Sequence, residues 1–342
     1  MSSSDPGTAQ RRFFAGVFAG LAGASLAMAA TLLVVDPLGA TDGNRLCGAG
    51  AKAHAAETAK LIVAHDRRPR TAIVGTSRVK WGFDRDALSE LGAQPVVNLG
   101  VSGGLPANFS DALDEALAGG RLERAYIGVD FNLVHQLGGP VSSSGIAGSG
   151  FPRLERLRRA FFGYEALRSA TSALRDCRPA FHVDGSPTRE GYRERAQRTV
   201  DDERGLLVRR LRRSGGRSEE ETSARYVELR SLIVRLRRQD VEVVLFSAPY
   251  RKELTDTFAE VGLDDDFAQF HAELSHLAHD EGAAFIDLHD PADVRMHGLR
   301  GCAGGGIACH YIDLTHYGPE FGRQIARSIA PRAGGPEPTD GR

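Results

Sequence analysis

The stretch TAIVGTSRVKWGFD, Thr71 to Asp84, decides how this chain is read. A short apolar run stops at Gly75, and Thr76, Ser77 and Arg78 follow at once. Apolar runs of this length bounded by glycine are buried strands, and the polar triplet falls where the chain turns from strand into helix. A serine at that junction has two readings. It caps the next helix by accepting a backbone N–H, or it presents a nucleophile at the strand's end.

Four more runs have the same character: PVVNLG at 95–100, RAYIGVD at 124–130, VEVVLFSAP at 241–249 and AAFIDL at 283–288. Each is apolar almost throughout instead of alternating, as a parallel strand covered on both faces should be. Helical patterns separate most of them. PANFSDALDEALAGG opens on Pro106 and closes on Gly119 and Gly120, while the segment from Ser223 to Arg238 places Tyr226, Leu229, Ile233 and Leu236 on one face. The alternation predicts an α/β protein, a three-layer sandwich around a five-stranded parallel sheet. Between Asp130 and Val241 lie 110 residues, far more than a crossover needs. A mainly helical insertion at about 136–220 is expected there, at the carboxyl edge of the sheet. Its basic run RGLLVRRLRRSGGR, 204–217, reads as a solvated helix face.

With 342 residues, 42% hydrophobic and 25% charged, the composition is globular, and a net charge of −1 gives no global field for nucleic acid. Phe13 to Val35 is uncharged and follows Arg11 and Arg12. At ~1.5 Å per residue that helix crosses a hydrocarbon core of ~30 Å. The arginine pair places residues 1–12 in the cytoplasm and the rest of the chain beyond the membrane. A cleaved signal peptide is the alternative, with Ala27-Met28-Ala29 as its site. Either way the expected location is outside the cytoplasm: a single-pass protein of the inner (cytoplasmic) membrane, facing the periplasm or cell exterior. Residues 36–70 read as linker and lead-in, 71–330 as the folded domain, and 331–342 as a disordered tail. Cys302 and Cys309 enclose only six residues, three of them glycine, so a disulfide between them is expected. A Cys47–Cys177 pair has no local support.

Ligands of open parallel sheets gather outside the carboxyl ends of the strands. There the sequence places Ser77, the NLGVSGG loop, Asp130, Ser247 to Tyr250, and, after the last strand, Asp313 and His316. A serine nucleophile needs a base, and the base needs a group to fix its tautomer. The D-x-x-H spacing lets Asp313 hold His316 at Nδ1 and leaves Nε2 for Ser77. A zinc reading of Cys302, Cys309, His310 and His316, with His289 and His297 upstream, lacks any C-x-x-C or H-E-x-x-H spacing. No metal and no cofactor are expected.

The blocks IVGTSRVKWGFD, VVNLGVSGG, YIGVDFN and DLTHY resemble the first, second, third and fifth blocks of the SGNH/GDSL hydrolase superfamily. The nearest pattern is its membrane-anchored, exported branch with a G-[ST]-S-R first block, which includes relatives of alginate-type O-acetyltransferase proteins. The resemblance covers roughly 71–134 and 241–330. It implies the flavodoxin-like SGNH fold, Ser77 as nucleophile, and His316 with Asp313 completing the triad. The oxyanion donors it implies are the Ser77 N–H and Gly103. Thr76 stands where the family usually has Asp, and Asp130 stands where a side-chain amide is expected. An ionised Asp cannot donate, so the alternatives to consider at the oxyanion are Asn132, the charge of Arg78, or Asp130 itself in protonated form. The implied activity is that of a serine esterase or O-acyltransferase on cell-envelope or extracellular polysaccharide, partnered by the membrane and by a membrane-bound acyl donor protein. The competing reading is a non-catalytic SGNH-like module that binds or organises polysaccharide machinery.

Overall fold

The structure is a computed structural model that describes residues 6–35, 60–61, 64–92, 94–134, 186–187, 203–209, 219–290 and 310–330. Most of the linker, most of the insertion, the tail and all four cysteines lie outside these residues, as do the disulfide expectations that rest on them.

Helix α1, Pro6–Val35, contains the segment Phe13–Thr31, with a mean hydropathy of 1.8 and no residue buried. It is long and apolar enough to cross a membrane, and a signal sequence has the same properties.

The five expected strands are β1 Thr71–Gly75, β2 Val96–Asn98, β3 Arg124–Gly128, β4 Glu242–Ser247 and β5 Ala284–Asp287. All pair in parallel, in the order β2-β1-β3-β4-β5. This is the doubly wound flavodoxin-like order, whose switch point lies between β1 and β3. Period-two alternation divides each strand between two cores. Ala72, Val74, Ala125, Ile127, Val243 and Leu245 join one. Ile73, Tyr126, Val244 and Phe246 join the other.

The first core is closed by α4 (Pro106–Ala118), α6 (Glu219–Arg237), α7 (Lys252–Glu260) and α8 (Asp264–Asp280), through residues such as Phe109, Leu113, Ile233, Leu236, Phe258, Phe270 and Leu274. The second is closed by α2 (Ser77–Gly82), α3 (Arg85–Glu90) and α9 (Pro319–Ile329), through Val79, Leu88, Phe321 and Ile325. Three layers result, and a short helix α5 (Phe131–Val134) follows β3. β5 departs from the expectation of burial on both faces: at one edge of the sheet, Phe285, Ile286 and Asp287 are only half-buried, whereas β2 at the opposite edge is buried throughout.

Two close approaches bring the future site together. Gly75 and Gly128 face each other across β1 and β3, and Val79 lies over both, so that a Cβ on either would collide with its Cγ2. This lets α2 turn back over the sheet directly after β1. Gly322 of α9 lies against the carbonyl of Gly82, the last residue of α2, and a Cβ there would overlap that oxygen. Ion pairs Arg323–Asp86 (2.5 Å) and Arg327–Glu90 (2.8 Å) continue the contact on the outside. A backbone carbonyl on a packed helix end has no rotamer to move away with. Gly322→Ala is therefore expected to cost about 1–3 kcal/mol, read as a lowered thermal unfolding midpoint, and to shift the segment just before α9.

Candidate active site

The junction after β1 resolves the two readings of its serine. Thr76 has extended backbone at the N-cap of α2, and its Oγ1 accepts from the Arg78 N–H at 3.3 Å. Thr76 is the cap. Ser77 is the first helical residue, half-exposed between buried neighbours, with its side chain left for other work.

Across from it, the chain between β5 and α9 forms a tight loop. Tyr311 and Tyr317 make an antiparallel bridge, with Ile312 N–H donating to the His316 carbonyl at 2.7 Å and Gly318 N–H to that of His310 at 2.6 Å. Inside this clasp the Asp313 carboxylate is fully buried and takes the loop's own donors. Its Oδ1 accepts from the amides of Thr315 and His316, both at 2.8 Å. The imidazole Nδ1 of His316 lies 2.8 Å from each carboxylate oxygen. An acceptor-only carboxylate there places the proton on Nδ1 and leaves Nε2 basic. Nε2 lies 2.8 Å from Ser77 Oγ. Asp313, His316 and Ser77 thus form one hydrogen-bonded chain, made by a loop instead of a helical turn, at the β1/β3 switch point.

Arg78 is the hub behind that chain. It is 3% exposed, and its Nη1 lies 2.7 Å from Asp130 Oδ1 at the end of β3. Its Nε donates to the Thr315 carbonyl in the triad loop at 3.2 Å, and its Nη2 to the carbonyls of Ala248 (3.3 Å) and Pro249 after β4. The guanidinium carbon also sits 4.1 Å from the centre of the Tyr250 ring. One side chain therefore ties the serine helix to the ends of β3 and β4 and to the histidine loop. Burial is the largest influence and opposes its charge, but Asp130 together with smaller contributions from the surrounding tyrosine hydroxyls holds Arg78 above the ordinary arginine value. Burial also pushes the hydroxyls of Tyr250, Tyr311 and Tyr317 upward, so all three stay neutral around it.

This corrects two sequence expectations. The sequence pattern puts Asp130 at the oxyanion; instead Oδ1 meets Arg78 and Oδ2 accepts from Thr76 Oγ1, so the carboxylate is a buried acceptor inside the hub. The same pattern offers Arg78 as charge support at the oxyanion; instead its donors are spent on Asp130 and on three carbonyls. The side chain of Asn132 lies outside the described residues.

Gly103 sits on the exposed turn between β2 and α4, with φ +63°, a conformation that favours glycine. The turn is anchored beside the serine: Val101 N–H donates to the Gly75 carbonyl at 2.9 Å, and Lys80 Nζ lies 3.2 Å from Ser102 Oγ. Further along β2, Asn98 donates its side-chain amide to the carbonyls of Val79 (3.1 Å) and Phe83 (3.0 Å), fixing the exit of α2.

Sequence reading missed two supports of the histidine loop. Arg251 Nη1 reaches the Asp313 carbonyl at 3.4 Å, and Glu203, from the short helix at 203–209, accepts from Leu314 N–H at 3.1 Å. The insertion therefore touches the segment that carries the triad's acid and base. No local signal marks Glu203, 111 residues from its partner.

No protein-family model matches the sequence, and no curated protein does. Solved structures similar to it include a provisionally named platelet activating factor from Streptococcus pneumonia, at 13% identity and TM-score 0.41, covering 80% of this chain and 89% of that one. A provisionally named acylhydrolase from Bacteroides fragilis has 10% identity and TM-score 0.36, covering 76% and 84%. A GDSL-like lipase from Bacteroides thetaiotaomicron has 12% identity and TM-score 0.35, covering 77% and 86%. Likeness at this level concerns the α/β architecture and says nothing of residues or substrates.

Proposed function

We propose that the chain is an SGNH-like serine esterase or O-acyltransferase, anchored by α1 and facing the periplasm or cell exterior, that acts on acyl esters of envelope or extracellular polysaccharide. The observation that carries the chemistry is the chain from Asp313 through His316 to Ser77, with 2.8 Å at each link. His316 Nε2 takes the Ser77 proton as Oγ attacks the ester carbonyl, and Asp313 stabilises the imidazolium that forms. The tetrahedral oxyanion is met by the N–H groups of Ser77 and Gly103, each such donor being worth ~3–4 kcal/mol in related chemistry. His316 then protonates the departing alkoxide. The acyl group leaves the serine to water in an esterase, or to a glycan hydroxyl when a membrane-bound donor protein supplies it. The anchor and the insertion beside the site favour a large polymer over a diffusing ester.

The position of Asp130 favours a second reading, a non-catalytic module that binds polysaccharide machinery, because the residue that would supply a third oxyanion donor is an acceptor committed to Arg78. Turnover separates the two. The full chain in detergent is expected to release acetate from p-nitrophenyl acetate and from an O-acetylated polysaccharide, and Ser77→Ala to do neither. A folded wild-type chain without turnover on either ester would leave the binding module as the better account.

A further inference from the structure

A second cluster of reactive side chains lies on the same sheet edge and has no part in the chemistry above. Asp287 ends β5, His289 follows two residues later, and His271 comes from the middle of α8. Asp287 Oδ1 lies 3.1 Å from His271 Nδ1 and 2.9 Å from His289 Nδ1. The two imidazole centres are 4.3 Å apart, and one donor atom from each of the three residues lies within 4.8 Å of the others.

A simple tether of helix to strand accounts for only half of this. His289 makes a hydrogen bond to the carboxylate. His271 does not: it is 8% exposed, its Nδ1 stands near the same oxygen without hydrogen-bond geometry, and its Nε2 is also buried without a hydrogen-bond partner among the described residues. Buried polar atoms normally find partners. Phe267 and Phe270 hold the ring of His271 edge-on, with centroids at 4.8 and 4.9 Å, and leave it facing the cluster.

We propose that His271, Asp287 and His289 form a binding site for a divalent cation of the zinc type, which pins the edge strand β5 to α8. Around a tetrahedral zinc with bonds of ~2.0–2.1 Å, neighbouring ligand atoms stand about 3.3 Å apart. The two short separations here need only open by a few tenths of an ångström. Two imidazoles and one carboxylate suit zinc, while calcium and magnesium seek mostly oxygen ligands. The His289 side chain is 42% exposed, so solvent can reach the centre and supply a fourth ligand. β3 and β4 lie between β1 and β5, which separates the cluster from the serine strand by about 14 Å at ~4.8 Å per strand. The cation therefore acts as a brace and not at the ester. Its influence reaches the hub through Tyr250, whose N–H donates to the His289 carbonyl at 3.2 Å and whose ring stacks on Arg78. This set differs from the cysteine-containing one considered in the sequence: it shares only His289.

The full chain in detergent, stripped with a chelator and dialysed against zinc chloride, is expected to retain one zinc per chain by elemental analysis. Its unfolding midpoint should rise with zinc. Cobalt in place of zinc should give the intense visible absorption of a tetrahedral site. His289→Ala and His271→Gln should each lose the bound metal and the zinc-dependent rise while keeping the far-UV spectrum, and a variant with both Cys302 and Cys309 changed to Ser should keep them. Failure of the wild-type chain to retain zinc, retention by both histidine variants, or loss in the cysteine variant would each overturn the proposal.

Discussion

Asp313→Asn is expected to lower aryl acetate turnover by about 10^4-fold while leaving the fold in place. The reason lies in which oxygen does what. Oδ1 of Asp313 accepts the amides of Thr315 and His316, so the carbonyl oxygen of an asparagine would take that position. Its NH2 group would then stand where Oδ2 now stands, 2.8 Å from Nδ1 of His316. A donor facing Nδ1 moves the imidazole proton to Nε2, and a protonated Nε2 cannot accept from Ser77. The substitution thus keeps shape and burial but inverts the tautomer. His316→Ala should be at least as severe, since it removes the base itself. The check is a steady-state comparison of kcat for wild type and both variants, with thermal unfolding to establish that the chains are folded. A loss of less than tenfold in Asp313→Asn would mean that the carboxylate does not set the tautomer.

The second large effect concerns stability. Arg78→Met removes the partner of a carboxylate that is 2% exposed and takes a donor away from three carbonyls. Breaking a buried pair from one side costs about 3–5 kcal/mol, because the remaining charge is left without compensation. For a domain of this size that lowers the unfolding midpoint by roughly 6–20 °C. Removing both partners, in Arg78→Met with Asp130→Leu, leaves no orphaned charge and should be less damaging than Arg78→Met alone. If the double variant were instead the sum of the two single ones, the pair would not be coupled as its geometry indicates. Arg78→Lys is not a rescue, since an ammonium lacks the planar fork that reaches Asp130, Thr315 and the β4 carbonyls together.

Much of the fold was legible because parallel strands announce themselves. A strand covered on both faces must be apolar throughout, and the runs at 71–75, 124–130 and 241–249 contain β1, β3 and β4. The same rule misjudged β5, since nothing in AAFIDL distinguishes this half-covered edge strand from β2, the other edge, which is buried throughout. Of the site, Ser77, Asp313 and His316 were accessible through local cues: a strand end, a helix start and a three-residue spacing. The pairing of Asp130 with Arg78 was not. Each is a charged residue at the right edge, and the sequence carries no sign that they face each other; pairing is a property of two backbones brought together by the sheet. His271 was hidden differently. It occupies an ordinary position in an amphipathic helix, and only β5 alongside it gives it neighbours.

The central claim is that Ser77 is an activated nucleophile. It is tested most directly by treating the full, folded chain with a fluorophosphonate probe and mapping the adduct by mass spectrometry of its peptides. The account predicts a stable phosphonyl group on Ser77, formed in the wild type and missing in His316→Ala, where the serine remains but its base does not. A folded wild-type chain that stays unlabelled, or one labelled only at another residue, would contradict it.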